Sequence, residues 1–105
     1  MSGISENSDN SEIVNTDYKS KSLSITDAIE VVAKVDAENL DFRQILTITN
    51  KGPNTVYYGP AGASIADRDE LVCEQYMTGP IGDCINVTFI CDTGETATIK
   101  VQEWS

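Results

Sequence analysis

Two acidic clusters and three cysteines are what this sequence offers for chemistry. The clusters are "ADRDE" at residues 66–70, with Asp67, Asp69 and Glu70, and "DAENLD" at residues 36–41, with Asp36, Glu38 and Asp41. Alternating oxygen ligands of this kind can hold calcium. Neither run has the ligand spacing of a calcium loop, and Arg68 sits inside the first, so both read as solvated acidic loops. A pair of carboxylates could in principle cleave a glycosidic bond, but that needs a shaped cleft around groups held about 5–9.5 Å apart. A chain of 105 residues seldom provides one. The sequence contains no histidine, which removes the commonest general base along with the Ser–His and Cys–His arrangements. The expectation is a protein that is not an enzyme, with no catalytic residues, no metal and no cofactor.

Cys73, Cys84 and Cys91 form an odd set without a preceding export signal, which argues against a secreted disulfide framework. Zinc would want tight ligand pairs and a fourth donor. The cysteines are therefore expected to be free, buried thiols acting as small apolar residues. Asn86-Val87-Thr88 matches a glycosylation acceptor, a chance match where no export signal is seen.

Seventeen acidic against seven basic residues give a net charge of −10. A surface of that sign repels nucleic-acid phosphates and favours basic protein partners. No stretch approaches the roughly 20 apolar residues that cross a bilayer as a helix. Residues 1–22 are dominated by Ser, Asn, Asp, Glu and Lys. They cannot bury enough apolar surface to offset an ordering cost of about 1–2 kcal/mol per residue. They are expected to form a polar extended arm, and residues 23–105 a single small domain.

The domain must position whatever the protein uses, and its pattern is that of strands. "SLSITDAIEVVAKV" places Leu23 and Ile25, then Ile29, Val31, Ala33 and Val35, at alternate positions. "FRQILTITN" sets Leu46 and Ile48 against Ile45, Thr47 and Thr49. A turn is expected at Gly52-Pro53-Asn54, followed by the short strand "TVYYG", which Gly59-Pro60 stops. "ELVCEQYM", "CINVTFICD" and "TATIKVQEW" each read as a strand, with a tight loop at "TGET" and Gly94 left-handed. The predicted fold is all-β, an antiparallel sandwich or barrel of about seven short strands.

The segment from Arg43 onward resembles a group of small structural proteins of tailed bacteriophages, of the head-decoration, head-fibre or neck-associated kind. The likeness lies in an "N-x-G-x-x-x-V-Y-x-G" turn and strand, matched by Asn50, Gly52, Val56, Tyr57 and Gly59. A "V-x-E" near the end is matched by Val101 and Glu103. The resemblance implies a non-enzymatic virion component, assembled in the host cytoplasm, that binds the major capsid protein or another virion protein. A capsid decoration or cement protein is the leading expectation, and a neck or tail accessory protein is an alternative. The arm and one outward sheet face would make the contact, and an oligomer, dimer or trimer, would share burial.

Candidate partner-binding residues are Ile13, Val14 and Tyr18 in the arm, and Tyr57, Tyr76 and Trp104 in the domain. The other reading is a carbohydrate- or receptor-binding sandwich. Tyr57, Tyr76 and Trp104 would then stack on sugar rings while Asn54, Asp67 and Asp69 bond hydroxyls.

Overall fold

The computed structural model describes residues 17–105. Eight strands occur among them: β1 (Tyr18–Ile25), β2 (Val31–Val32), β3 (Ile45–Pro53), β4 (Val56–Gly59), β5 (Asp69–Leu71), β6 (Tyr76–Gly79), β7 (Thr88–Ile90) and β8 (Ala97–Trp104). One sheet, here sheet A, has the order β1-β8-β3-β6. The other, sheet B, has the order β2-β7-β4-β5. Every pairing is antiparallel.

The chain is doubled back on itself, first strand against last. β1 pairs with β8, β2 with β7, β3 with β6 and β4 with β5. This long hairpin wraps so that β3 also meets β8 and β4 meets β7. Such wrapping defines a jelly roll, the two-sheet form of the sandwich read from the sequence. Only β4 and β5 are both consecutive and adjacent; every other connection passes from one sheet to the other.

Alternation explains the core. Ala97, Ile99, Val101 and Glu103 of β8 point inward, and Thr98, Lys100, Gln102 and Trp104 point out. Leu46, Ile48 and Asn50 of β3 pack in beside them. From sheet B come Val56, Leu71 and Phe89, with Cys91 just past β7, and the Tyr58 ring lies 5.6 Å from Phe89. Each large side chain fully buried in this way stabilises the fold by about 1.5–3 kcal/mol.

Several strands differ from the sequence reading. Pairing starts at Tyr18, so residues 18–22, expected in the arm, belong to β1. Lys19 and Lys21 hid this strand by occupying inward positions. On an edge strand such side chains bend around the rim, and Lys19 Nζ reaches Asp36 at 2.6 Å. Of the Ile29–Val35 alternation only Val31–Val32 pairs, and Ile29 is 69% exposed. "ELVCEQYM" is two strands in different sheets, divided by a turn in which Glu74 has φ 71°. Within "CINVTFICD" only Thr88–Ile90 pairs. The expected Gly52-Pro53 turn lies inside β3, which bulges between Asn50 and Gly52 and continues to Pro53. β6 covers only Leu46–Thr49, so the strand is open on one side where proline lacks its N–H. Gly94 is left-handed as expected, with φ 78°.

Arg68 fixes the loop between β4 and β5. Its guanidinium donates to Ala63 O, Pro60 O, Thr88 O, Thr88 Oγ1 and Glu30 Oε1 at 2.9–3.3 Å. Glu30 also accepts from the Gly62 N–H. The Thr88 hydroxyl, the Gly62 amide and Arg68 together hold the Glu30 carboxyl below its ordinary range. What Glu30 adds to stability is therefore present at neutral pH and fades as pH falls through its lowered value.

The cysteines do not all behave as expected. Cys91 is buried, lies with Sγ 3.6 Å from Ile25 O, and has its thiol pKa pushed up by burial. Cys73 and Cys84 are exposed, because the runs holding them form loops instead of core strands. A disulfide-exchange reagent should label Cys73 and Cys84 quickly in the native protein and Cys91 only on unfolding. Three fast thiols would contradict the burial of Cys91.

Candidate contact site

A buried ion pair organises the end of the sandwich where β3 begins and β8 finishes. Arg43 and Glu103 side chains are both 0% exposed and meet at 2.7 Å. All five guanidinium N–H groups have acceptors. Nε donates to Ile81 O, Nη1 to Asn39 Oδ1 and Glu103 Oε2, and Nη2 to Gly82 O and Ile85 O. Glu103 also accepts from the N–H groups of Val35 and Leu40, each at 3.1 Å. Two loops with no strand of their own, β2–β3 and β6–β7, are thereby clamped to the core.

Phe42 stands on this pedestal. It is 83% exposed and has a left-handed backbone with φ 57°. That conformation costs a non-glycine residue about 1–2 kcal/mol. Its N–H donates to Asp83 Oδ2 at 2.8 Å, linking it to the loop that presents Ile85, itself 56% exposed. Asp17, Asp36, Glu38 and Asp41 line a hollow at the same end, with Lys19 paired to Asp36 among them. The result is a rigid apolar knob with a negative border.

The outer face of sheet A is chemically different. Register aligns Tyr18, Trp104 and Ile45 in one row, then Ser20, Gln102, Thr47 and Thr78 in the next. A third row holds Ser22, Lys100, Thr49 and Tyr76. No strand position on this face carries a carboxylate, although the chain has a net charge of −10. Glu74 stands at its far corner, beside Thr49 and Lys51. The Tyr18 and Trp104 rings lie 4.3 Å apart, inclined at 44°. Gln102 Nε2 donates to Tyr18 Oη at 3.0 Å, and hydrogen bonds from Gln102 and Ser20 lower the Tyr18 phenol pKa. Thr47 and Thr78 share a hydroxyl hydrogen bond of 2.8 Å.

Of the residues singled out by sequence, Tyr18 and Trp104 meet on this face, and Tyr76 shares it two rows away on the opposite edge strand. Tyr57 does not. It lies on the outer side of sheet B, where desolvation first, and then Glu70, Asp92 and Glu95, raise its pKa. Ile13 and Val14 lie outside the described residues. Asp67 and Asp69 belong to the β4–β5 side and do not converge with Trp104, while the Asn54 amide is committed to Thr96 O at 2.9 Å. Among the described residues no group of three or more His, Cys, Asp or Glu is placed to hold a metal.

Phe42 and Ile85 were missed by the sequence reading. Phe42 is in phase with Leu46 and Ile48, so alternation points it inward; the left-handed turn at Phe42 reverses that. No family model matches the chain, nor does any curated protein or solved structure. The class is thus set by topology: an eight-stranded jelly roll.

Proposed function

We propose that this chain is a non-enzymatic virion structural protein of a tailed bacteriophage. In this reading it is a capsid decoration or stabilising protein that holds a protein shell by the Phe42–Ile85 end. The observation that carries the reading is Phe42 itself. A strained, exposed aromatic on a fully hydrogen-bonded pedestal contributes little to folding, whereas rigid aromatic anchors dominate protein contacts. Residues 1–16 join β1 at this same end, where Asp17 is bonded to Ser105. In this reading those residues supply a second grip on the shell.

The acidic border selects a partner surface with Lys or Arg around an apolar pocket. Repetition over a symmetric shell would multiply a modest contact. The virion assignment draws on the resemblance of the β3–β4 region and on the recurrence of jelly rolls in capsids, which is an analogy of fold.

The test is to purify particles from the producing host and quantify this chain by mass spectrometry. Phe42→Ser should lower occupancy at least tenfold while leaving the melting temperature unchanged or raised. Absence of the chain from particles, or unchanged occupancy in the variant, overturns the proposal.

A further inference from the structure

The outer face of sheet A has chemistry of its own, and its aromatic row begins at the end where β3 starts and β8 finishes. We infer that this face is a binding site for a neutral polysaccharide. The inference does not rest on the virion reading.

Three observations carry it. The first is the aromatic row, in which Trp104 sits between Tyr18 and Ile45 and offers a platform for the C–H face of a sugar ring. The second is the adjoining row of Ser20, Gln102, Thr47 and Thr78, all donors and acceptors without formal charge. Ring hydroxyls need such partners, and Gln102 is already oriented by its bond to Tyr18. The third is charge. The strand positions of this face carry Lys100 and Lys51 but no carboxylate, and both lysines stand away from the aromatic row and the Ser20–Gln102–Thr47–Thr78 row, which are uncharged and suit an uncharged ligand. A basic protein would find better partners on the acidic surfaces elsewhere. Strand spacing of about 4.8 Å and an i, i+2 repeat of about 6.8 Å set the polar groups in a regular lattice across the four strands. Such a lattice suits an extended polymer.

Trp104 is the chain's one tryptophan, so its emission reports directly on this face. The protein is titrated with dextran, mannan, laminarin, xylan and galactan, with polygalacturonate as an anionic comparison. Affinity electrophoresis in the same polymers provides a readout independent of fluorescence. At least one neutral polymer should give a saturable emission change and retard migration. Gln102→Glu should weaken that binding at least tenfold with the fold intact, and Trp104→Ala should abolish retardation. Tyr57→Ala, on the other sheet, should leave it unchanged. Silence across the five neutral polymers overturns the inference, as does equal binding of polygalacturonate. An emission change that follows protein concentration, with no dependence on saccharide, also overturns it and makes the face a contact between copies of this chain.

Discussion

Glu103→Ala is expected to cost about 3–5 kcal/mol, because it leaves Arg43 charged and buried without its carboxylate. The loss also orphans the Val35 and Leu40 N–H groups. Native domains are stable by only about 5–15 kcal/mol, and small ones sit near the lower bound. The variant should therefore be largely unfolded at physiological temperature, as read by urea denaturation followed by circular dichroism. Glu103→Gln keeps the acceptor oxygen but not the charge, and should fall between. Replacing both partners with apolar residues often restores a buried pair's stability. Here it should do so only partly, since the carbonyls of Ile81, Gly82 and Ile85 would lose their donor. Wild-type stability in Glu103→Ala, within about 1 kcal/mol, would mean that the clamp is not what holds the end loops.

Asn50→Ala should be the next most damaging change, at about 2–4 kcal/mol. The side chain is 0% exposed at the β3 bulge. Nδ2 donates to Asn54 O and Leu71 O, both at 2.8 Å, and Oδ1 accepts from the Gly52 N–H at 2.7 Å. One amide thus ties sheet A to the last residue of β5 in sheet B. Alanine leaves three polar groups without partners, of which Leu71 O and the Gly52 N–H are buried and Asn54 O is half-buried. Asn50→Asp should be no milder, since it keeps the acceptor, loses both donors and buries a charge. The measurement is again the denaturation midpoint, with the slope used to check that the unfolded state is unchanged. A shift below 1 kcal/mol for alanine would show that these bonds are replaceable.

Both residues mark the limit of what could be read from sequence. Long strands with a single wet face announced themselves: β8 alternates from Ala97 to Trp104, and β3 does so from Ile45 to Asn50. Gly94 marked its turn. Interior positions filled by polar groups broke the pattern, because Asn50 and Glu103 look like surface residues until their partners are in place. Those partners stand far off in the chain; Arg43 reaches Glu103 across 60 positions. Lys19 and Lys21 concealed β1 for the related reason that an edge position lets a long side chain escape.

The candidate site was legible as residue types but not as an assembly. Tyr18, Tyr76 and Trp104 suggested contact by being aromatic among polar neighbours. Only the register of β1, β8, β3 and β6 puts them on one face and sends Tyr57 to the other. Phe42 was lost because a single left-handed residue reverses the phase on which alternation depends.

The pairing of first strand with last bears on how the protein is made. Among the described strands β1 has β8 as its one neighbour and precedes it by the whole domain, and β2 likewise waits for β7. Sheet B cannot close until β7 has cleared the exit tunnel, and sheet A must wait further for β8, so neither sheet forms strand by strand as the chain emerges. With β4–β5 as the one local hairpin among the described residues, closure belongs to the millisecond-to-second regime of non-local β folds. Until then the growing polypeptide presents unsatisfied strands, and its surplus of negative charge opposes sticking to its own copies.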